Sequence, residues 1–368
     1  MEQEKISAKQ LFSLIILFEF GTSLVLPIGF VAEQSVWISI LLALIGGVVL
    51  YVIFDYLYRE HPGLPLSGYI RRILGSVVGW PVCLLYLSFF IQGDARVLRD
   101  TGELLISSSY DQTPLFVINA MLMLSVIYVL RKGVVVLART SEIFLIVVIL
   151  LGALGATLVL LSGIIHVQNL LPLAGNGWKP VLTAAYGNIL PFPFSETICF
   201  ATILPQLRKK ATGRKAGIVA LLIAGLVMSF THAMEIAVLG ANIYGRSTFP
   251  LFLTISKVNI LDFIQRMDGI VILTLIVNAF FKIAIFCYAA ASVAADLFRV
   301  SKPEKLMLPI GLVILLISMM SANNWSEFVT IGNKVFVGML LPLHNIAIPV
   351  LLLAVHLIRK SFRAKISR

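Results

Sequence analysis

Long apolar runs alternate with short polar stretches along most of the chain. A helix that crosses a bilayer needs about 20 mostly apolar residues, and ten runs approach that length. The pattern therefore predicts an all-α integral membrane protein with ten transmembrane helices. The predicted spans are Leu11–Phe30, Val36–Leu57, Val78–Ile106, Pro114–Leu130, Glu142–Ser162, Val181–Pro205, Ala216–Gly240, Asp268–Leu297, Leu306–Met320 and Val335–Ile358.

Basic residues are distributed unevenly between the loops. If the N-terminus is cytoplasmic, the cytoplasmic segments hold 21 of the 29 Lys and Arg residues and the outer segments hold 5. Because cytoplasmic loops are enriched in Lys and Arg, this bias supports ten spans with both termini in the cytoplasm. The first apolar run lacks a small-x-small cleavage site, so we interpret it as a spanning helix and not as a signal peptide.

Composition narrows the functional classes. Hydrophobic residues make up 59% of the chain and charged residues 13%, against averages of roughly 45–50% and a quarter. Soluble enzymes, disordered proteins and nucleic-acid binders are therefore excluded as classes, and the net charge of +11 indicates loops that face an anionic lipid bilayer. The three cysteines show no metal-binding spacing, and no catalytic or ATP-binding motif is present. We expect no enzyme activity, no cofactor and no metal.

Two of the predicted helices are interrupted at matching places. Helix 1 carries Phe18-Glu19-Phe20-Gly21-Thr22-Ser23, and helix 6 carries Leu190-Pro191-Phe192-Pro193-Phe194-Ser195-Glu196. The two prolines remove backbone donors and push the preceding residues out of helical geometry. These positions predict a single membrane domain, residues 1–368, with two halves of five helices each, about 8–165 and about 176–360.

Unwound backbone at membrane depth persists only where it is buried in protein or lines a cavity. Interrupted segments at corresponding places in two halves are typical of a transporter-like binding site. The alternative is a pair of simple kinks, because Pro and Gly are common in membrane helices.

Ionisable residues inside the membrane are costly and face the bundle interior or water. Lys282 lies near the middle of helix 8, and we expect Glu196 or Glu19 to be its partner. Asp94 begins a charged half of helix 3 that continues to Glu103. That half either makes internal ion pairs or forms a water-exposed helix end. Glu235 lies near the end of helix 7, and we expect it to be solvated.

Several short motifs together resemble one family. They are Gly21-Thr22 with Leu26-Pro27, Asp94-Ala95-Arg96 with Glu103 and Thr113-Pro114, Phe192 to Glu196 with Leu204-Pro205 and Arg208-Lys209-Lys210, Arg266, and Ala289-Ala290-Ala291. Over essentially the whole chain, the sequence resembles the spore-germination permeases. These are the B-type subunits of nutrient germinant receptors, within the amino acid–polyamine–organocation superfamily.

The resemblance implies a five-plus-five inverted repeat with a small-molecule site between helices 1, 3, 6 and 8. Together with the charged and hydroxyl residues at the breaks, the predicted ligand-binding residues are Phe20, Gly21, Thr22, Ser23, Phe90, Asp94, Pro193, Phe194, Ser195, Glu196, Lys282 and Phe286. It also implies a nutrient germinant, often an amino acid, and a complex with an A-type subunit and a C-type lipoprotein in the spore inner membrane.

Two other functions remain open from the sequence. One is a proton-coupled amino-acid transporter in which Glu19, Glu196 or Lys282 titrates. The other is an ion- or water-conducting subunit formed by the polar faces of helices 1, 3, 6 and 8.

Overall fold

A computed structural model describes residues 5–108, 110–260, 264–265, 267–322 and 324–366. The first half of the chain is helical almost throughout. Its α-helices are α1 Ala8–Phe20, α2 Val36–Glu60, α3 Leu66–Leu74, α4 Ser76–Ser108, α5 Leu115–Arg131 and α6 Val134–Leu161. Short 3-10 helices cover Phe30–Ser35 and Val167–Leu170.

The second half is also helical, apart from one two-stranded hairpin. Its α-helices and strands are α7 Trp178–Thr183, α8 Gly213–Leu239, α9 Ala241–Arg246, α10 Pro250–Ser256, β1 Asn259–Ile260, β2 Ile264–Gln265, α11 Asp268–Leu297, α12 Met307–Met320, α13 Trp325–Ile331 and α14 Ile348–Ile366. The strands pair antiparallel. The remaining helical segments are π-helices at Ala184–Ile189, Gly332–Leu340 and Pro342–Ala347, and 3-10 helices at Phe194–Thr202, Leu204–Gln206, Lys210–Thr212 and Pro303–Leu306.

Among the described residues, seven helices are long and apolar enough to cross a membrane, and α5 is a shorter apolar helix. The first and sixth predicted spans are broken into pieces too short to meet that length. The all-helical membrane architecture is thus confirmed. The count of ten spans, the division into two repeats and the placement of the termini stay predictions.

Two predicted helix starts are wrong. α6 begins at Val134, eight residues before the predicted start, because Gly133 at φ 103° ends the loop and an apolar turn follows. The last span begins at Trp325, ten residues before the predicted Val335. Asn324 caps it there, its side chain accepting from the Glu327 backbone N–H at 2.9 Å. An Asn cap followed three residues later by Glu is a helix-start signal that the apolar pattern alone does not contain.

The core lies where α1, α4 and α11 meet the broken sixth span. α11 is the most completely buried of the seven long helices, and it packs most extensively against α4. α1 contacts α6, α8 and α11, and Phe194–Thr202 packs against α2 and α11. This packing brings both helix breaks alongside α11, the helix that carries Lys282.

Candidate functional site

The break in the first span begins at Gly21. Its N–H closes the last turn of α1 on the Leu17 carbonyl, and its φ of 25° is in the region that disfavours side chains. A Cβ at this position would lie 2.3 Å from Cδ of Lys282. The lysine side chain therefore lies directly on the backbone at the break, and only glycine leaves room for it.

The backbone after Gly21 makes turn hydrogen bonds of its own, such as Leu26 N–H to the Thr22 carbonyl at 3.0 Å, and finds further partners on α8 and α9. His232 Nε2 is 3.0 Å from the Ser23 carbonyl, and the Tyr244 hydroxyl accepts from the Ile28 N–H at 3.1 Å. The same hydroxyl lies 3.0 Å from His232 Nδ1. Glu235 was expected to be solvated, and this is wrong. It is fully buried, with Oε2 2.9 Å from His232 Nδ1, because the polar break draws α8 side chains inward.

The break in the sixth span follows from Pro191 and Pro193, which have no N–H to donate. The Ser195 N–H bonds to the Leu190 carbonyl at 2.9 Å, so the chain bridges the break with a widened turn. The Ser195 hydroxyl donates to the Pro191 carbonyl at 2.7 Å and accepts from Asn345 Nδ2 at 3.1 Å. The polar groups freed by this break are thus partly satisfied from the last span.

Lys282 and Glu196 meet between the two breaks. Lys282 Nζ lies 2.6 Å from Glu196 Oε2, and both side chains are buried. The contact is an ion pair by distance but lacks hydrogen-bond alignment. The ammonium also lies 4.9 Å from the ring centre of Phe18 and 4.7 Å from that of Phe192. A cation between two aromatic faces and a carboxylate is stabilised electrostatically at a depth where an isolated ion is unfavourable.

Aromatic rings extend this cluster toward α4. The Phe286 ring centre lies 5.4 Å from that of Phe18 and 6.4 Å from that of Phe90. A Cβ on Gly93 would approach the Phe286 ring to 3.0 Å, so the small residue allows the close packing of α4 on α11. The rings form an apolar boundary on one side of the ion pair.

Two further carboxylates are fully buried nearby, Glu19 and Asp94. Within the described parts of the chain, none of their four carboxylate oxygens has a hydrogen-bond partner. Glu19 interacts electrostatically with Lys282 and Glu196. The Thr22 hydroxyl is likewise buried without a partner. Because buried polar groups are normally paired, these groups mark places where a ligand or a proton would be stabilised.

The second half of α4 makes internal ion pairs, which decides between the two interpretations of this segment. Arg99 Nε lies 2.7 Å from Glu103 Oε1, and Arg96 Nε lies 4.0 Å from Asp100 Oδ2. Arg99 and Asp100 are buried. The segment is therefore part of the core and not a water-exposed end.

The structure brings together some of the predicted site residues and separates others. Gly21, Phe90, Glu196, Lys282 and Phe286 belong to one cluster. Phe20 instead lines a separate apolar cavity of about 310 Å³ between α1, α6, α8 and α11. Phe194 packs against α2, where a Cβ on Gly47 would lie 2.7 Å from its own Cβ. Ser23 and Pro193 shape the backbone of the two breaks.

The predicted ligand-binding residues do not include Phe18 and Phe192, although both belong to the group of aromatic residues at the breaks and both rings face Lys282. Helix periodicity contained the signal for Phe18, because positions 18 and 21 are three apart and share a face of α1, whereas position 20 points elsewhere. Phe192 lies between the two prolines, where no regular period applies. No three His, Cys, Asp or Glu side chains converge as a metal site in the parts of the chain that the structure describes.

Sequence comparisons give a consistent result. A family profile described as "Spore germination protein" (spore permease) matches residues 5–326. Spore germination protein KB of Bacillus subtilis (strain 168) is 38% identical over 335 residues, covering 91% of this chain and 90% of that protein. Spore germination protein YndE of the same organism is 27% identical, covering 80% of each. Spore germination protein XB of Bacillus anthracis is 25% identical, covering 73% of each.

Two solved structures share the fold of this chain. MhsT in complex with L-phenylalanine superposes with a TM-score of 0.68 at 14% identity, covering 96% of this chain and 99% of that chain. Mhp1, a nucleobase-cation-symport-1 family transporter in a closed conformation with bromovinylhydantoin bound, gives 0.63 at 14% identity, covering 92% and 78%. The fold is thus a transporter fold in a multi-pass membrane protein. By its profile match and its 38% identity to protein KB, the chain belongs to the spore permease family of spore germination proteins.

Proposed function

We propose that this chain is the B-type subunit of a spore nutrient germinant receptor and binds a small nutrient, an amino acid, where its two helix breaks meet. The observation that carries the proposal is the buried ion pair of Lys282 and Glu196, which lies on Gly21 at the first break. A charged pair on unwound backbone in the membrane interior is a typical ligand site of this kind of fold.

The comparisons support this function at the level of family and fold. The relatives are called spore germination proteins, and two proteins of the same fold were solved with small organic molecules bound. The fold therefore accommodates ligands of amino-acid size. Binding without chemical conversion accounts for the site, so no enzymatic step is invoked.

The charges at the site match an amino acid. Its carboxylate would pair with Lys282 in exchange for Glu196, and its ammonium would find the unpaired carboxylate of Glu19 or Asp94. Phe286 and Phe90 would border the ligand side chain. Each ligand charge would thus meet a buried group of opposite sign, which offsets the cost of removing both from water.

A ligand that exchanges partners with Lys282 changes the contacts between α11 and the broken sixth span. Its differential affinity for two arrangements of these elements would shift their populations. We propose that an A-type subunit and a C-type lipoprotein bind this chain in the spore inner membrane and respond to its change of conformation. Both termini of this chain would lie in the cytoplasm.

A ligand-stabilisation screen tests the site. Purified protein in detergent is heated with amino acids, sugars or nucleosides, since a ligand of the native state raises the free energy of unfolding by about 2.7 kcal/mol at 100 times its Kd. We expect one amino acid to raise the unfolding midpoint. Thr22→Val should weaken that shift while the variant still folds, because the hydroxyl it removes has no hydrogen-bond partner. Gly21→Leu should abolish the shift.

The matched control is Gly269→Leu on α11, where an added Cβ meets nothing within 4 Å. This variant should keep the full ligand shift. An undiminished shift in both Gly21→Leu and Thr22→Val would place the ligand elsewhere, and the absence of any shift in the wild type would contradict binding by this chain.

Proton-coupled transport is the second candidate, and the unpaired carboxylates of Glu19 and Asp94 favour it. Buried carboxyl groups are typical of proton relays in transporters. Proteoliposomes decide between the two. Uptake of a labelled amino acid above the equilibrium level, driven by a pH gradient, indicates a transporter, whereas binding without uptake indicates a receptor.

A further inference from the structure

A basic pocket lies at the end of the bundle that the Lys and Arg distribution assigns to the cytoplasm. It has a volume of about 240 Å³ and opens between the end of α2, the short helix α3 and the end of α14. Its polar lining residues are Glu60, His61, Arg72, His356, Arg359 and Lys360. α2 and α3 follow each other in the chain, whereas α14 is distant, with Lys360 300 residues after Glu60, so the pocket is formed by the tertiary fold.

Positive charge exceeds negative charge in this pocket. Glu60 engages Lys360 at 2.9 Å and His356 at 3.4 Å. Arg72 and Arg359 make no ion pair with any residue that the structure describes. Two guanidinium groups therefore face one small volume without a counter-ion.

His61 contributes a ring nitrogen that makes no hydrogen bond with the described residues. Its ring stacks on Tyr69, with centres 6.5 Å apart, and meets the edge of His356 at 5.1 Å. Its Nε2 is buried and has no hydrogen-bond partner within the described residues. Burial, His356 and Arg72 lower the pKa of His61 despite the opposing carboxylate of Glu60. In the tautomer that carries its proton on Nε2, the imidazole can donate to an oxygen anion.

Paired guanidinium groups are suited to phosphate, because their planar donors match its oxygens two at a time. Basic pockets between membrane helices on the cytoplasmic side bind anionic headgroups. We propose that this basic pocket binds a phosphate group, presented either by an anionic phospholipid headgroup or as free phosphate. This site is separate from the nutrient site, and its failure would leave the proposed function intact.

Occupancy of the pocket would stabilise α3 against the core. The neighbouring Arg71 and Ser67 of α3 both contact Asp296 Oδ2 of α11, each at 2.5 Å. A phosphate bound by both Arg72 and Arg359 would therefore link the end of α14 to α3. Through the contacts of α3 with Asp296, it would also link α14 to α11, the helix that carries Lys282.

The test uses the full chain in nanodiscs. Phosphatidylglycerol is titrated into phosphatidylcholine, and the unfolding midpoint and the number of retained lipids by native mass spectrometry are measured. We expect phosphatidylglycerol to raise the midpoint of the wild type. The double variant Arg72→Gln, Arg359→Gln should bind it about tenfold more weakly, as expected for the loss of charge-assisted hydrogen bonds.

The matched control is Arg131→Gln, Lys132→Gln, which removes the same charge from the end of α5 at the same face. It should retain the wild-type affinity. The two sources are separated by adding inorganic phosphate to the protein in pure phosphatidylcholine nanodiscs, with chloride at equal ionic strength as the control. A shift of the unfolding midpoint with phosphate identifies free phosphate as the ligand. A shift with phosphatidylglycerol alone identifies the lipid. No shift with either, or equal losses in both double variants, overturns the proposal.

Discussion

At the scale of single residues, Lys282 shows how a charge is held inside the membrane domain. Its ammonium lies 2.6 Å from Glu196 and faces the rings of Phe18 and Phe192. A buried ion pair gains little over an apolar pair of the same volume, but breaking it leaves a lone buried charge. The pair is therefore a sensitive point for both stability and function.

Lys282→Met should destabilise the protein by about 3–5 kcal/mol, because Glu196 is left buried without its partner. The double variant Lys282→Met, Glu196→Gln should recover much of this loss. Thermal unfolding in detergent measures both. If the single and double variants are equally destabilised, the pair contributes packing and not charge compensation.

Residue-level prediction worked where chemistry alone decides the outcome. The depth of Lys282 required a carboxylate partner, and Glu196 supplies it. It did not work for Glu235, whose position near a helix end suggested water. Glu235 is buried beside His232 on the same helix, and the His232 ring in turn contacts the Ser23 carbonyl, 209 residues away along the chain, a contact that no local pattern encodes.

At the scale of elements, the stretch after α1 makes turn hydrogen bonds of its own and takes further partners from α8 and α9. The Tyr244 hydroxyl accepts a hydrogen bond from the Ile28 N–H, and His232 Nε2 contacts the Ser23 carbonyl. Since unpaired backbone groups are unfavourable in the membrane interior, these two side chains hold the break open. The prolines of the sixth span predicted its break from sequence, whereas the partners of the first break required the fold.

Tyr244→Phe should lower the free energy of unfolding by about 1–3 kcal/mol, because the Ile28 N–H is then buried without an acceptor. Tyr186→Phe is the control, since Tyr186 is 47% exposed and should tolerate the change. Chemical denaturation in detergent measures both. Equal stability of the two variants would mean that another group supports the first break.

At the scale of the whole molecule, the architecture followed from the apolar pattern, and the charge distribution predicts the orientation. The breaks and the burial of α11 agree with the fold shared with MhsT. The helix starts at Val134 and Trp325 were misplaced because glycine and cap geometry, not hydropathy, set them. Arg266, one of the motif residues, lies outside the described residues.

Orientation is tested by cysteine labelling, because Cys83, Cys199 and Cys287 are all buried and give a low background. Lys257→Cys lies in the predicted outer loop and Arg208→Cys in a predicted cytoplasmic loop, and both positions are exposed. In intact bacterial cells that express the protein, an impermeant maleimide should label only Lys257→Cys. Permeabilisation should expose Arg208→Cys, and the reverse result would invert the topology.

The contact between Gly21 and the stem of Lys282 has a consequence for sensitivity. The lysine already fills the space over the first break, so the resting site contains a competitor that belongs to the protein itself. Under the proposed function, a nutrient binds only the fraction of molecules in which this stem has moved, and its apparent Kd rises in inverse proportion to that fraction. The nutrient concentration that triggers germination would then depend on the lysine as much as on the nutrient. A spore would remain dormant at trace nutrient levels even if the open pocket bound the nutrient tightly.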